Sequence, residues 1–510
     1  MTMRPSPSLK ALAGAGAAAL LAGCATVGPN FTAAEAPKTS GYAMAGDVTP
    51  PQAQLGERLS QDWWSVYHSP EIEAVVRQAV AGNHSLESAR ASLAQAQHAV
   101  LAQDNGLALN ASASAEEQRV NLASFGFSSI PVPGAGTLKL ENPTFLIYSF
   151  GLNGRYDFDL FGGRKRESEA LLARAEAQGL QTDAAYLTLT AQVVSQAIDI
   201  ASLRAQISAT EEIVKSDEDN LDVVTKAYKL GGGTRLDVST VQTQLSTDRE
   251  MLNPLRQRLA AARHALALLV GQAPADWTPP DFDLDRIAAP DSIPVALPSQ
   301  LVRDRPDIRA AEARWHTATA QIGVATADLY PKLTLNASIT QSALGPLDLF
   351  KYAATGFAVG PGVSLPLANR PQLHARVKIA EDVARGALAD YQQTVLQAFN
   401  QVADSLQALS NDRQAIIDAQ GAYAAADDSL RLQRLRYRDG KTTLLPVLDS
   451  QRSWARAKLG VINARARQLQ DSAALLYAVS HSWSEGAPPA SSATGITLTT
   501  APAASLAKGG

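Results

Sequence analysis

Two periods run through this chain. Around residues 144–161 the period is two. Tyr148, Phe150, Leu152, Tyr156, Phe158 and Leu160 fall on one face, and Ser149, Gly151, Asn153, Arg155, Asp157 and Asp159 on the other. Such alternation predicts a strand, and its length suits a tilted membrane-crossing strand of about 9–11 residues, apolar side to lipid and polar side to a lumen. Three further segments alternate. Leu333, Leu335, Ala337 and Ile339 interleave with Thr334, Asn336, Ser338 and Thr340. Phe357, Val359, Val363, Leu365 and Leu367 interleave with Ala358, Gly360, Gly362 and Ser364, and Leu109 to Glu116 alternates more weakly. The tetrapeptide LNAS, at Leu109–Ser112 and again at Leu335–Ser338, marks equivalent strands.

Elsewhere the period is seven. Tyr186, Val193, Ile200, Ile207, Val214, Leu221 and Tyr228 form one series; Val395, Val402, Leu409, Ile416, Tyr423, Leu430 and Tyr437 form another, 209 residues on. A heptad stripe of this length predicts a supercoiled helix. Its flanks include Thr190, Arg204, Glu211 and Asp217, so the stripe is narrow and needs neighbours on its sides. Gly163–Leu230 and the run after Pro371 to Arg438 contain no proline, room for helices of roughly 100 Å at 1.5 Å per residue. The glycines Gly231 and Gly440 offer left-handed caps. Return helices are predicted over Leu236–Val270, interrupted by Pro254, and over Leu444–Ser482. The tips repeat as well: Tyr228–Gln242 resembles Tyr437–Gln451 at the same 209-residue offset.

Each repeat therefore reads helix, strand, loop, strand, long helix, tip, return helix. The fold class is mainly α with a membrane β-barrel. Four strands cannot close a barrel, and open edges are not tolerated in lipid, where each unpaired backbone group costs several kcal/mol. The pattern demands an oligomer, and three copies supply twelve strands.

The remaining features narrow the class. Arg4 and Lys10 precede a small, apolar run, Ala11–Gly23, with the architecture of a signal peptide. Leu21-Ala22-Gly23-Cys24 fits a bacterial lipobox, which makes Cys24 a lipidation site. Cys24 is the single cysteine of 510 residues, which excludes an intramolecular disulfide and a Cys-rich zinc site. The seven histidines are scattered without metal-ligand spacing, and a net charge of −4 gives no basic footprint for nucleic acid. No cofactor is expected beyond the covalent lipid, and no catalytic constellation is present. Asp157 and Asp159 form a DxD on the polar face of a strand, and GKT at Gly440–Thr442 lacks the glycine and preceding strand of a phosphate loop. The expected organisation is a signal peptide over 1–23, a lipidated segment over 24–62, repeats over 63–273 and 305–483 joined by a linker over 274–304, and a disordered tail over 484–510.

Several motifs resemble a known family, the TolC-like outer-membrane efflux proteins, in the lipoprotein branch that serves resistance-nodulation-division pumps. They are CATVGPNF from Cys24, DWWSVYHSPEIEAVVRQAV with Trp63, Trp64 and Pro70, and LPSQLVRDRPDIRAAEARW with Leu297, Pro298, Arg305, Pro306, Asp307 and Ile308. The resemblance spans roughly Cys24 to Trp483. It implies a homotrimer with a twelve-strand barrel in outer-membrane lipid, a helical tunnel across the periplasm, and partners in a periplasmic adaptor and an inner-membrane pump. Ala25 after the lipidated cysteine resembles the outer-membrane sorting pattern. The resemblance also assigns a channel gate to Asp449, with Pro446 and Thr442 where some members carry a second aspartate and an arginine. The tip residues Gly231, Thr234, Gly440 and Thr443 become the adaptor contacts. Export of small molecules is the leading function, with a protein-secretion channel of the same architecture as the alternative. A lipidated adaptor or scaffold is a third reading, disfavoured because adaptors carry one hairpin rather than two strand-bearing repeats.

Overall fold

The computed structural model describes residues 26–481, apart from 36–38, 40, 45, 47–52, 57–58, 60–61, 104–105, 120–128, 135, 140–143 and 291. The signal peptide, Cys24 and the expected disordered tail lie outside the described residues.

Two helical hairpins dominate. In the first, α3 (Gly163–Lys229) turns at the tip into α4 (Arg235–Val270); in the second, α7 (Arg370–Arg438) turns into α8 (Leu444–Val479). Both long helices end at a glycine with positive φ, Gly231 at +79° and Gly440 at +69°, the conformation that glycine adopts without a Cβ penalty. α4 runs through Pro254 as one element. Beside each long helix lies a pair of shorter ones: α1 (Pro70–Gly82) leads into α2 (His84–Leu101), and α5 (Pro298–Asp304) leads into α6 (Pro306–Ala327). α2 and α4 both pack on α3, and α6 and α8 both pack on α7. A polar tie joins each pair of ends. Asn83, which caps α2, donates from Nδ2 to the Leu269 carbonyl (2.8 Å), and Arg305, at the start of α6, donates from Nη1 to the Ala478 carbonyl (3.0 Å). No helix among the described residues is long and apolar enough to cross a membrane.

The strands form a sheet in the order β2-β5-β7-β8, all antiparallel: β2 (Leu107–Arg119), β5 (Thr144–Phe158), β7 (Lys332–Ala343) and β8 (Thr355–Ser364). The loop between β2 and β5 contains a short hairpin, β3 (Ser129–Val132) and β4 (Gly136–Lys139). Two alternation limits need correction. Leu160 and Asp159 lie in the turn beyond β5, not on the strand, and Leu365 and Leu367 lie beyond β8. Asp159 instead accepts from the backbone N–H groups of Arg164 and Lys165, at 3.2 and 3.0 Å, and caps the start of α3. A side-chain acceptor at a helix start stops the strand pattern that pure alternation would extend.

The core is a knot midway along α3. Trp63 and Tyr67 lie on a 3-10 turn (Trp63–Tyr67) and are buried there with Ile72, Val193, Ile198, Leu266, Leu469 and Leu476. Phe282, Ile287, Ile293 and Leu301, between the repeats, join the same core, and β1 (Ala53–Leu55) pairs in parallel with β6 (Ile293–Val295) beside it. Val193, Ile200 and Val214 of the first heptad series are buried, whereas Tyr228 at the tip is exposed. The polar flanks have specific partners. Thr190 is fully buried and accepts from Trp63 Nε1 at 3.3 Å, Arg256 pairs with Glu211, Arg204 pairs with Asp281, and Asp217 is buried.

Candidate functional site

The sheet is two-sided. Register places Leu107, Leu109, Ala111 and Ala113 of β2 opposite Tyr156, Gly154, Leu152 and Phe150 of β5. These continue across Leu335, Ala337 and Ile339 of β7 to Pro361, Val359 and Phe357 of β8. One face is thus almost wholly apolar, and it is solvent-accessible in the single chain: Phe150, Leu152, Tyr156, Phe158, Ile339, Val359 and Val363 are exposed, and Phe357 is 82% exposed. Tyr148 shares this face and is half-buried. The opposite face carries Asn110, Ser112, Asn153, Arg155, Asn336, Ser338 and Thr340 among small residues. β2 and β8 are the outer strands, with no partner on their free edges among the described residues. An apolar patch of this size on a monomer marks an interaction surface.

Where the sheet meets the helices, aromatic rings gather. Tyr156 packs edge-on against Phe158 (4.9 Å), and Phe161 stacks on Tyr330 (4.4 Å). The chain that follows Cys24 docks at this level. Val27 N–H donates to the Phe161 carbonyl (3.1 Å). The buried Arg166 guanidinium donates to the carbonyls of Val27 (3.1 Å) and Gly28 (3.2 Å), to Asn30 Oδ1 (2.7 Å) and to Glu169 (2.7 Å). Phe31 stacks on His316 (4.2 Å), whose Nε2 bonds Glu169 (3.0 Å). Burial opposes ionisation of Glu169, but the hydrogen bonds of His316 and Arg166 outweigh it and hold the carboxyl below its usual range. Gly28, at φ +87°, passes so close to Gly323 that a Cβ would sit 2.5 Å from the Gly323 Cα. This approach leaves no room for a side chain at Gly28.

At the far ends of the hairpins the turns are open. Gly231, Thr234, Gly440 and Thr443 are exposed, and a Cβ at Gly231 or Gly440 would meet nothing within 4 Å. Leu230, Leu236 and Leu445 project beside them, exposed. Asp449 faces outward on the second turn of α8, next to the buried Val447, Leu448, Ser450 and Gln451, and forms no hydrogen bond or ion pair among the described residues.

Comparison with known proteins decides what this assembly of sheet, hairpins and tips is. A family model described as outer membrane efflux protein matches residues 75–272 and 297–480. The chain belongs to the outer membrane efflux protein family. Among its relatives, the antibiotic efflux pump outer membrane protein ArpC of Pseudomonas putida is 27% identical over 475 residues, covering 91% of this chain and 94% of that protein. The pyoverdine export outer membrane protein OpmQ of Pseudomonas aeruginosa is 27% identical, covering 93% and 98%. The outer-membrane channel OprN superposes with a TM-score of 0.79 at 25% identity, covering 90% of this chain and 99% of that one. The open-state MtrE outer membrane channel of Neisseria gonorrhoeae shares the fold, with a TM-score of 0.75, 24% identity and coverage of 89% and 98%.

The two matched segments of this outer membrane efflux protein contain the four strands of the β2-β5-β7-β8 sheet and both hairpins; the Val27–Phe31 contact precedes them. The repeats differ at one informative place. Thr234 and Asp237 form a reciprocal cap: Thr234 Oγ1 accepts from Asp237 N–H (3.2 Å) and Asp237 Oδ2 accepts from Thr234 N–H (2.9 Å). The hydrogen bonds from Thr234 hold the Asp237 carboxyl below its usual range. At the second tip Thr443 occupies the same position but makes no side-chain cap bond. Its third helical residue is Pro446, which has no N–H to give. Thr234→Ala is accordingly expected to cost the first tip about 1 kcal/mol, seen as roughly fivefold faster amide exchange at residues 235–238. Thr443→Ala is expected to change the second tip by no more than about twofold, the range of a neutral surface substitution. The Arg166 clamp and the exposed tip leucines were not read from the sequence. Heptad counting sees spacing, and neither a tether contact nor a single exposed leucine has a period.

Proposed function

We propose that this protein is the outer-membrane channel of a tripartite efflux system, through which small molecules leave passively. The observation that carries this reading is the uncapped four-stranded sheet with one exposed apolar face. A sheet with two free edges is viable in lipid only when the edges pair with other copies, and a homotrimer supplies twelve strands. The face of Tyr148, Phe150, Leu152, Tyr156 and Phe158 then meets lipid, and that of Asn153 and Arg155 lines the lumen. The hairpins form the periplasmic tunnel. A lipid on Cys24 anchors the mature chain, and docking of Val27–Phe31 at the aromatic level supports that anchor, because it leaves Cys24 three residues from a fixed point at the sheet's base. The tips, with Gly231, Thr234, Gly440 and Thr443 and their neighbouring leucines, contact a periplasmic adaptor coupled to an inner-membrane pump.

Asp449 is the gate. Three copies brought near one axis repel each other and attract cations. Asp449→Ala is expected to weaken divalent-cation block by about tenfold to a hundredfold, since each close carboxylate–cation contact contributes about 1 kcal/mol even in water. Planar-bilayer recordings with added divalent cation check this; unchanged block would remove Asp449 from the gate. The architecture itself is tested by light scattering on the detergent-extracted complex. A trimer is expected, and an intact, folded monomer would rule out the shared barrel.

A further inference from the structure

Near the tips, α8 is fastened to the first hairpin by a polar cluster inside the helix packing. Asp217 of α3 is only 1% exposed, and Asp248 of α4 faces it across the interface. Gln451 Nε2 of α8 donates to Asp217 Oδ1 (2.6 Å), and Gln451 Oε1 accepts from Asn220 (2.7 Å). Gln244 Nε2 donates to Asp248 Oδ2 (2.6 Å), while Gln244 Oε1 accepts from Arg452 Nε of α8 (2.6 Å). The second oxygen of Asp217 is buried without a hydrogen-bond partner. A cavity of about 210 Å³ opens at this point; its charged lining is Asp217, Asp248, Arg452 and Arg456. From α7, Arg434 reaches Ser216 beside it (3.0 Å). A buried carboxylate oxygen with no donor is costly when charged and ordinary when it shares a proton with a neighbouring carboxylate.

We propose that Asp217 and Asp248 are a proton-binding site that locks α8 against the first hairpin. With one proton on the pair, the Gln451 and Arg452 bonds hold the helices together. When the pair loses that proton, two carboxylates repel inside the interface and α8 is released. The consequence for export rests on the channel reading above. Asp449 lies two residues before Gln451 on the same helix, so releasing α8 frees the gate.

The direction of the pH effect follows. Burial, then the hydrogen bond and charge of Asp248, push Asp217 from its ordinary value of 3.8 to about 8, against the pull of Arg452. The packed state thus binds a proton that the loosened state gives up. Packing is tightest near pH 4 and weakens steadily as pH rises to about 8, above which both states have given up the proton. Asp412, buried on α7, faces the half-buried Asp471 of α8 and is also raised by burial, but this pair lies about 21 Å farther up the hairpin at 1.5 Å per residue.

The test is amide hydrogen exchange of the detergent-solubilised trimer at pH 5.5 and 8.5, corrected for intrinsic exchange. Residues 447–455 are expected to exchange about a hundredfold or more faster at pH 8.5 in the wild type, because one proton given up on opening changes the opening equilibrium about tenfold for each pH unit between 5.5 and about 8. Asp217→Asn, which keeps shape and abolishes the charge, is expected to bring the ratio close to one, with Asp248→Asn as the second variant should the first not assemble. Asp449→Asn is expected to keep the wild-type response. A pH-independent wild type, an unchanged response in both pair variants, or a response abolished by Asp449→Asn would overturn the proposal. A failure of the channel reading is separate, because it is read in the mass of the complex.

Discussion

Leu152→Arg is expected to abolish stable trimers in the outer membrane. Leu152 lies near the middle of β5, opposite Ala111 on one side and Ile339 on the other, in the exposed apolar face. A guanidinium at the bilayer midplane costs about 2–4 kcal/mol per copy, so a closed barrel of three protomers carries about 6–12 kcal/mol. That rivals the whole stability of an ordinary domain. Asn153→Arg, one residue on, points to the polar face beside Asn110 and Ser338 and is expected to assemble normally. Semi-native electrophoresis of membrane fractions reads both. Equal trimer yield for the two variants would mean that the apolar face does not meet lipid.

Arg305→Ala is expected to loosen the helix junction of the second repeat. Arg305 is buried at the start of α6, where it donates to the Ala478 carbonyl at the end of α8, to Gln401 of α7 (2.6 Å) and to both oxygens of Asp307 (2.8 and 2.9 Å). One guanidinium thus joins three helices of the second repeat, and its charge faces a helix C-terminus, where a cation is favoured. Truncation leaves the carbonyl of buried Ala478 without this donor, at about 1–3 kcal/mol, whereas Gln401 is exposed and turns to water. Asp307 is partly exposed, so its loss is softened by water. A loss of about 2 kcal/mol is expected, visible as a rate of thermal trimer dissociation raised by about thirtyfold. Arg305→Lys is expected to restore part of it, because an ammonium keeps the charge and loses the planar fork. Dissociation at the wild-type rate in Arg305→Ala would show that the junction is held by packing alone.

The sequence motif around Arg305 was visible as a family resemblance, but its physical meaning was not. The spacing from Arg305 to Ala478 is 173 residues, and no local pattern reports a contact at that distance. The same holds for the run after Cys24. Its glycine and asparagine became intelligible only when Gly28 was seen against Gly323 and Asn30 under Arg166.

What the sequence determined by itself was everything with a period. The two-residue alternation located the strands, because side chains on a pleat alternate by geometry. The heptads, the proline-free runs and the terminal glycines set the lengths and ends of the two hairpins, and the 209-residue offset showed that they are repeats. Strand counting against the need for closure pointed to an oligomer. The tertiary structure decided what depends on distant partners. It assigned Asp159 to a helix cap rather than a strand and placed residues between the repeats in the core. It also turned Asp217, a polar flaw in a helical stripe, into half of a buried carboxylate pair. Periodicity is a property of neighbours along one chain, whereas burial, pairing and proton sharing belong to neighbours in space.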